Sequence, residues 1–170
     1  MPNWILVINY WLHLLSTVIW IGGLATLTLV AWPGLLGALD EAHEAKVLAA
    51  LDRRFRPLAN LSLVMLLITG MFQMSGDTNY HGFLQIDSLW AVGLLAKHIV
   101  YIAMIAVSAV LQFVMWPSLE RARLAASHAR ASEVEHAQVR ALRIRFRQLS
   151  VVNLALGIIV LLLTAVITAQ

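Results

Sequence analysis

The chain has 170 residues, of which 61% are hydrophobic and 12% are charged, and its mean hydropathy is +0.81. This composition excludes an ordinary soluble domain and is typical of a polytopic membrane protein. Its net charge is +3, but the basic residues lie in two connecting segments, where membrane topology explains them better than nucleic-acid binding does, so nucleic acid is excluded as a partner. The chain has no Cys, which excludes disulfides, thiolate metal sites and covalently attached c-type haem.

Four apolar runs divide the chain, and each is long enough to cross the hydrocarbon layer of a bilayer, about 30 Å thick, as a helix. In chain order they cover residues about 4–32, 57–75, 88–117 and 148–168. The first and third runs are long enough to tilt or to extend into the interface. We therefore predict an all-α polytopic membrane protein, a four-helix bundle in which residues 1–170 form a single transmembrane domain.

The polar connections after the first and third runs, about 33–56 and about 118–147, carry eleven of the twelve Lys and Arg residues. Basic loops remain in the cytoplasm, so this asymmetry predicts that both termini lie outside, in the periplasm of a bacterial inner membrane. The composition of both connections predicts amphipathic helices that extend the spans. Trp32-Pro33 and Trp116-Pro117 are predicted to end the first and third helices, because the residue before Pro disfavours the helical conformation.

Two motifs recur in the same order in the two halves of the chain. Trp32-Pro-Gly-Leu35 closes the first span and Trp116-Pro-Ser-Leu119 closes the third. Arg54-Phe-Arg-Pro-Leu58 opens the second span and Arg145-Phe-Arg-Gln-Leu149 opens the fourth. The repetition predicts one two-helix unit used twice in parallel orientation, with an axis along the membrane normal.

Two histidines and one lysine lie inside the spans: His13 in the first, and Lys97 and His98 in the third. Such groups are costly to leave unpaired in a membrane, so each is a functional-site hypothesis. Aligning the Trp-Pro pairs places His13 opposite Lys97, with His98 one residue on, at one depth in the outer half of the membrane. Interhelical hydrogen bonds are the alternative interpretation, and they are also the predicted role of Asn60, Ser62, Thr69, Gln73, Gln112 and Asn153.

Haem b is the leading hypothesis for this site, because a haem in a helix bundle needs a His and usually a second ligand from a facing helix. The ligand pair is His13 with either His98 or Lys97. Adjacent helical residues point about 100° apart, so at most one of the two faces the iron. Imidazole is the commoner ligand and favours His98, whereas the repeat favours Lys97. Lys97 could instead pair with a haem propionate or act as the catalytic proton donor in a redox reaction.

Trp20, Gly22 and Gly23 follow His13 on the first span and are predicted to line the cofactor. The two glycines leave room for a macrocycle against the backbone, although close helix packing is the commoner use of Gly in membranes. Copper is the alternative cargo, because six Met residues and no Cys allow a His/Met site, and thioethers suit Cu(I). Irregular spacing makes apolar filler an equally ordinary use of these Met residues.

The sequence resembles the CopD-like membrane family and the related HemJ-type protoporphyrinogen oxidases. The features that carry the resemblance are His13 followed by Trp20, Gly22 and Gly23, the segment Arg53-Arg-Phe-Arg-Pro57, the pair Thr69-Gly70, the pair Ala96-Lys97 and an Arg-Phe-x-x-Leu motif at Arg145. The resemblance implies a four-helix bundle. The resemblance to HemJ-type members implies bound haem b, important roles for His13 and Lys97, and protoporphyrinogen oxidation as the reaction. The resemblance to CopD-type members implies copper transfer across the membrane.

The function predicted from sequence is that of a haem b redox protein of the inner membrane, an oxidoreductase similar to protoporphyrinogen oxidase. It would pass electrons to or from quinone, a porphyrin substrate or a partner subunit. A CopD-like copper transport protein is the first alternative, and a structural subunit of a larger membrane complex is the second. The expected partners are membrane lipid, quinone or porphyrin, and partner subunits or further copies of the chain.

Overall fold

The computed structural model describes residues 3–77, 82, 88–128 and 132–169, apart from the side chains of Gly37 and Glu41. These residues are helical except for short connections. Four helices are long and apolar enough to cross a membrane: α1 (Asn3–Leu36), α2 (Ala42–Ser75), α3 (Leu89–Ala126) and α4 (Glu133–Thr168). The prediction of an all-helical polytopic membrane protein is therefore confirmed.

The prediction that Trp32-Pro33 and Trp116-Pro117 end their helices is wrong. The α-helical segments Trp32–Ala38 and Trp116–Ala126 continue past each Pro, and both Trp residues keep helical dihedral angles. A π-helical turn comes directly before each pair, Thr26–Ala31 in α1 and Leu111–Met115 in α3. The wider turn bonds to residues five apart and so accommodates the proline ring and its missing N–H. In an apolar bilayer, a complete break would leave more backbone groups unsatisfied.

The remaining helical segments have these bounds, and two of them begin with a side-chain cap. α1 begins with the α-helix Asn3–Thr17, which is followed by the π-helical turn Val18–Gly22 and the short α-helical segment Gly23–Ala25. The first α-helical segment of α3 is Leu89–Val110. α2 is the span within an α-helix that runs from Glu41 to Ser75. The N-cap residue of this helix, Asp40, accepts a hydrogen bond from the backbone N–H of His43 at 2.9 Å. α4 opens with a capping box, in which the Ser132 N–H donates to Glu135 Oε2 at 2.6 Å. The predicted helical extension of the spans is confirmed.

The chain divides into two compact units. The first covers Met1–Leu94 with Ala169–Gln170 and contains α1 and α2, and the second covers Leu95–Thr168 and contains most of α3 with α4. The division near the start of α3 agrees with the predicted repeat of one helix pair.

The two units bury several of the same positions of the repeat. When Trp32 is aligned with Trp116 and Phe55 with Phe146, several residues that are buried in one unit fall on residues that are buried in the other. The matched buried pairs are Trp20 with Met104, Leu24 with Ser108, Leu48 with Val139, Ala59 with Ser150, Ser62 with Asn153, and Leu63 with Leu154. A shared pattern of burial at these positions is what a duplicated helix pair requires, and it supports the repeat beyond its boundary motifs.

Candidate functional site

His13 lies in the first unit, where α1 packs against α2. Its ring atom Nδ1 is 2.7 Å from Oγ1 of Thr69 on α2. The same Thr69 hydroxyl donates a hydrogen bond to the backbone oxygen of Met65, one turn earlier, at 2.6 Å. Hydroxyl groups in membrane helices commonly bond back to the preceding turn in this way. The imidazole of His13 on α1 therefore contacts a hydroxyl group that is oriented by the backbone of α2.

Further contacts hold both partners in place. Asn9, one turn before His13, donates from Nδ2 to the backbone oxygen of Thr69 at 3.3 Å. Thr17, one turn after His13, donates from Oγ1 to the backbone oxygen of His13 at 2.8 Å. The ring also lies beside Gly70, where a Cβ would meet His13 Cε1 at 3.6 Å, an ordinary van der Waals distance. The result is a small polar cluster, Asn9, His13 and Thr69, between α1 and α2.

The three residues predicted to line a cofactor on α1 have different surroundings. Trp20 is buried. The surface of Gly23 is covered by Phe55 of α2, whose ring lies in the space that a Cβ would occupy. Gly22 is exposed, and a Cβ placed on it would meet no atom within 4 Å. Packing against Phe55 thus accounts for Gly23 without a cofactor.

Lys97 and His98 lie on α3 in the second unit, and both are partly exposed. His13 belongs to the first unit. The predicted pairing of His13 with Lys97 or His98 across one cofactor therefore stays a prediction.

The second unit has a hydrogen-bond arrangement of its own. Nδ2 of Asn153 on α4 donates to Oγ of Ser108 on α3 at 2.9 Å, and Ser108 donates to the backbone oxygen of Met104 at 2.8 Å. Asn153 is only 1% exposed, and its Oδ1 has no hydrogen-bond partner among the described residues. The predicted interhelical hydrogen bonds are therefore confirmed for Thr69 and Asn153. The sequence analysis did not predict a role for Ser108, the partner of Asn153 on α3.

Metal-ligating side chains are sparse. Within residues 3–77, 82, 88–128 and 132–169, no three His, Asp or Glu side chains gather closely enough to hold a metal ion. A metal bound in this part of the chain would need fewer such ligands, or thioether sulfur from Met. Met65 shares the face of α2 that carries Thr69, because residues four apart in a helix lie above one another.

A family model described as CopD, copper resistance protein D, matches residues 49–167. The match covers most of α2 and all of α3, and it ends one residue before the end of α4. It includes Thr69, Lys97 and His98, whereas His13 precedes it. No curated protein and no solved structure matches the chain.

Proposed function

This chain belongs to the CopD family, the copper resistance protein D family, and from that membership we propose that it binds copper within the membrane and passes it across. Copper is the cargo in this proposal, and His13 is the ligand that takes it up. The proposal replaces the haem b redox protein as the leading interpretation, since the family match favours the copper alternative that the sequence also allowed.

One observation carries the proposal: an imidazole within a membrane span is held by a hydrogen bond with a side chain of the neighbouring helix. Ligands of a metal are ordinarily oriented in this way by a second contact on the far side of the ring. Three further features suit Cu(I) as the bound ion. The chain has no Cys to trap the metal, it has six Met residues, and its described part has no cluster of carboxylates for a hard cation.

Met65 is the thioether that we propose as the second ligand. It lies one helical turn before Thr69, which places it on the same face of α2 as the residue that contacts His13. Imidazole and thioether are both neutral, so the bound ion keeps its charge and is held less tightly than by thiolates. Weak, neutral coordination suits a site that must release its ion as well as bind it.

We also propose that the protein lies in the bacterial inner membrane with both termini in the periplasm. The support is the concentration of basic residues in the two connections between α1 and α2 and between α3 and α4. In this orientation His13 lies in the outer half of the membrane, nineteen or so residues before the inner boundary at Trp32. Copper would then enter the site from the periplasmic side.

Haem b remains a second candidate, because the His13 ring would serve haem iron as well as copper. The fit is poorer on the residues predicted to line the macrocycle, since Phe55 already covers Gly23. A haem would supply one-electron chemistry, and quinone or a porphyrin would be its redox partner. A visible spectrum of the purified protein separates the two candidates, because haem has a strong Soret band and Cu(I) has no d–d absorption.

The experiment is a Cu(I) competition titration of the purified full chain in detergent, with a chromophoric chelator as competitor. We expect the wild type to bind one Cu(I) per chain, His13→Ala to lose this binding and Met65→Leu to bind Cu(I) more weakly. The control variant His128→Ala, which changes an exposed histidine, should bind Cu(I) normally. Reconstituted vesicles loaded with the chelator should take up copper only with His13 present. A protein that binds no Cu(I), or binds it equally well as His13→Ala, would overturn the proposal.

A further inference from the structure

We propose that Thr69 is a positioning residue that fixes the tautomer of His13, so that the ring carries its proton on Nδ1 and binds metal through Nε2. The assignment of the tautomer depends only on the hydrogen bonds of the first unit. The identity of the metal rests on the proposed function.

The single proton of the Thr69 hydroxyl determines the direction of both hydrogen bonds. The backbone oxygen of Met65 has no proton to give, so at 2.6 Å the hydroxyl must donate to it. The hydroxyl oxygen then has only lone pairs to offer His13 Nδ1, which is 2.7 Å away. Nδ1 must therefore carry a proton and donate it. The opposite assignment would bring two lone pairs together at 2.6 Å, between Thr69 and Met65.

The remaining nitrogen follows from the surroundings of the ring. A charged imidazolium is costly inside a membrane span, so the neutral ring is the form to expect there. A neutral ring that is protonated on Nδ1 carries its in-plane lone pair on Nε2. Nε2 is then the atom that coordinates a metal ion.

Thr69 is built to hold this arrangement. Its side chain is β-branched, so its first torsion angle is restricted within the helix. The residue is 3% exposed, and Asn9 donates to its backbone oxygen from α1. The chain of hydrogen bonds from His13 through Thr69 to Met65 also polarises each member, which makes Nε2 a better electron donor.

The direct test is nitrogen NMR of the metal-free full chain in detergent, with ¹⁵N-labelled histidine. The His13 signals are identified by their loss in His13→Asn. We expect a protonated Nδ1 and an unprotonated Nε2 in the wild type and in Thr69→Ser, which keeps the hydroxyl. Thr69→Val should shift the ring toward the Nε2–H tautomer. A wild-type ring protonated on Nε2 would overturn the inference, and this measurement needs no variant of Thr69 to fold.

Copper binding supplies a second readout. Thr69→Val should weaken Cu(I) binding about 10- to 100-fold, the usual effect of losing the group that orients a metal-binding histidine. Thr69→Ser should restore it. Thr17→Val is the matched control, because the Thr17 hydroxyl also bonds back to its own helix, at His13, but donates to the backbone and not to the ring. Equal weakening in Thr17→Val and Thr69→Val would overturn the positioning role.

The two proposals fail in different ways. If the ring is protonated on Nδ1 but the protein binds no Cu(I), the proposed function fails and the tautomer assignment stands. If Cu(I) binds at His13 but the metal-free ring is protonated on Nε2, the assignment fails and the proposed function stands.

Discussion

The ring of Phe55 lies in the space that a Cβ on Gly23 would occupy, so α1 and α2 meet here at the closest approach that glycine permits. Small residues commonly allow membrane helices to pack in this way. The contact lies in the same helix pair as His13 and Thr69, about three turns of α1 farther along the chain from His13. It helps to hold together the two helices that carry the proposed copper site.

We expect Gly23→Ala to lower the free energy of unfolding by about 1–3 kcal/mol, because the added methyl group must displace the Phe55 ring. Thermal unfolding in detergent measures the change. Gly22→Ala is the matched control, since a Cβ there meets no atom within 4 Å, and its effect should stay within about 0.5 kcal/mol. Equal destabilisation by both substitutions would show that the Phe55 contact does not govern the result, because Ala has a higher helix propensity than Gly and by itself favours the helix.

The hydrogen bond between Asn153 and Ser108 gives a prediction for the second unit. A double-mutant cycle with Asn153→Ala and Ser108→Ala should give a coupling energy of about 0.6 kcal/mol and no more than about 1.7 kcal/mol, the range found for interhelical hydrogen bonds in membranes. Reversible unfolding in mixed micelles measures the four free energies. As a control, Asn153 paired with Ser118→Ala should show no coupling, because Ser118 is bonded to its own helix at Val114. Additive effects of Asn153 and Ser108 would contradict the contact.

The N-cap of α2 should weaken in acid. The backbone N–H of His43, with its side chain, holds the pKa of the Asp40 carboxyl below the usual value of 3.8. Because the folded pKa is the lower one, the stabilisation is complete above about pH 3.8 and is lost as the pH falls through the folded pKa. The NMR signal of the His43 amide proton should shift with pH as the Asp40 carboxyl titrates. Asp40→Asn still caps the helix but has no carboxyl group, so this pH dependence should disappear. A signal that titrates equally in Asp40→Asn would assign the effect to another group.

The proposed orientation can be tested with single cysteines, since the natural chain has none. Ser127→Cys, in the connection between α3 and α4, should react with a membrane-impermeant maleimide only after the cells are opened. Ser75→Cys, at the end of α2, should react in spheroplasts with an intact membrane. Both serines are exposed, so neither substitution disturbs a buried contact. The reverse labelling pattern would place both termini in the cytoplasm.

Several features could be predicted from local sequence. Long uncharged runs identified the four membrane-spanning helices, since a helix satisfies the backbone hydrogen bonds of such a run within the run itself. The paired Trp-Pro and Arg-Phe motifs identified the repeat, which the matched burial of Trp20 with Met104 and of Leu63 with Leu154 supports. His13 was also recognisable, because an ionisable group in an apolar run stands out without any knowledge of its neighbours.

Other features could not be predicted, because they depend on what faces a residue from another helix. The helix continues past Pro33 because a π-helical turn precedes it, and neither propensity nor motif indicates that turn. Gly22 and Gly23 are adjacent and identical in sequence, yet Phe55 contacts only one of them.

The sequence by itself thus determined the class of protein, the number of spans and the identity of the intramembrane histidine. These properties follow from hydrophobicity along one chain segment and from the cost of a polar group in lipid. Only the tertiary structure decided that Thr69 contacts the His13 ring and that Phe55 covers Gly23, because each contact joins residues more than thirty positions apart. The physical reason is that the partner of a buried polar or small residue is set by the rotation and register of two packed helices, which no single segment encodes.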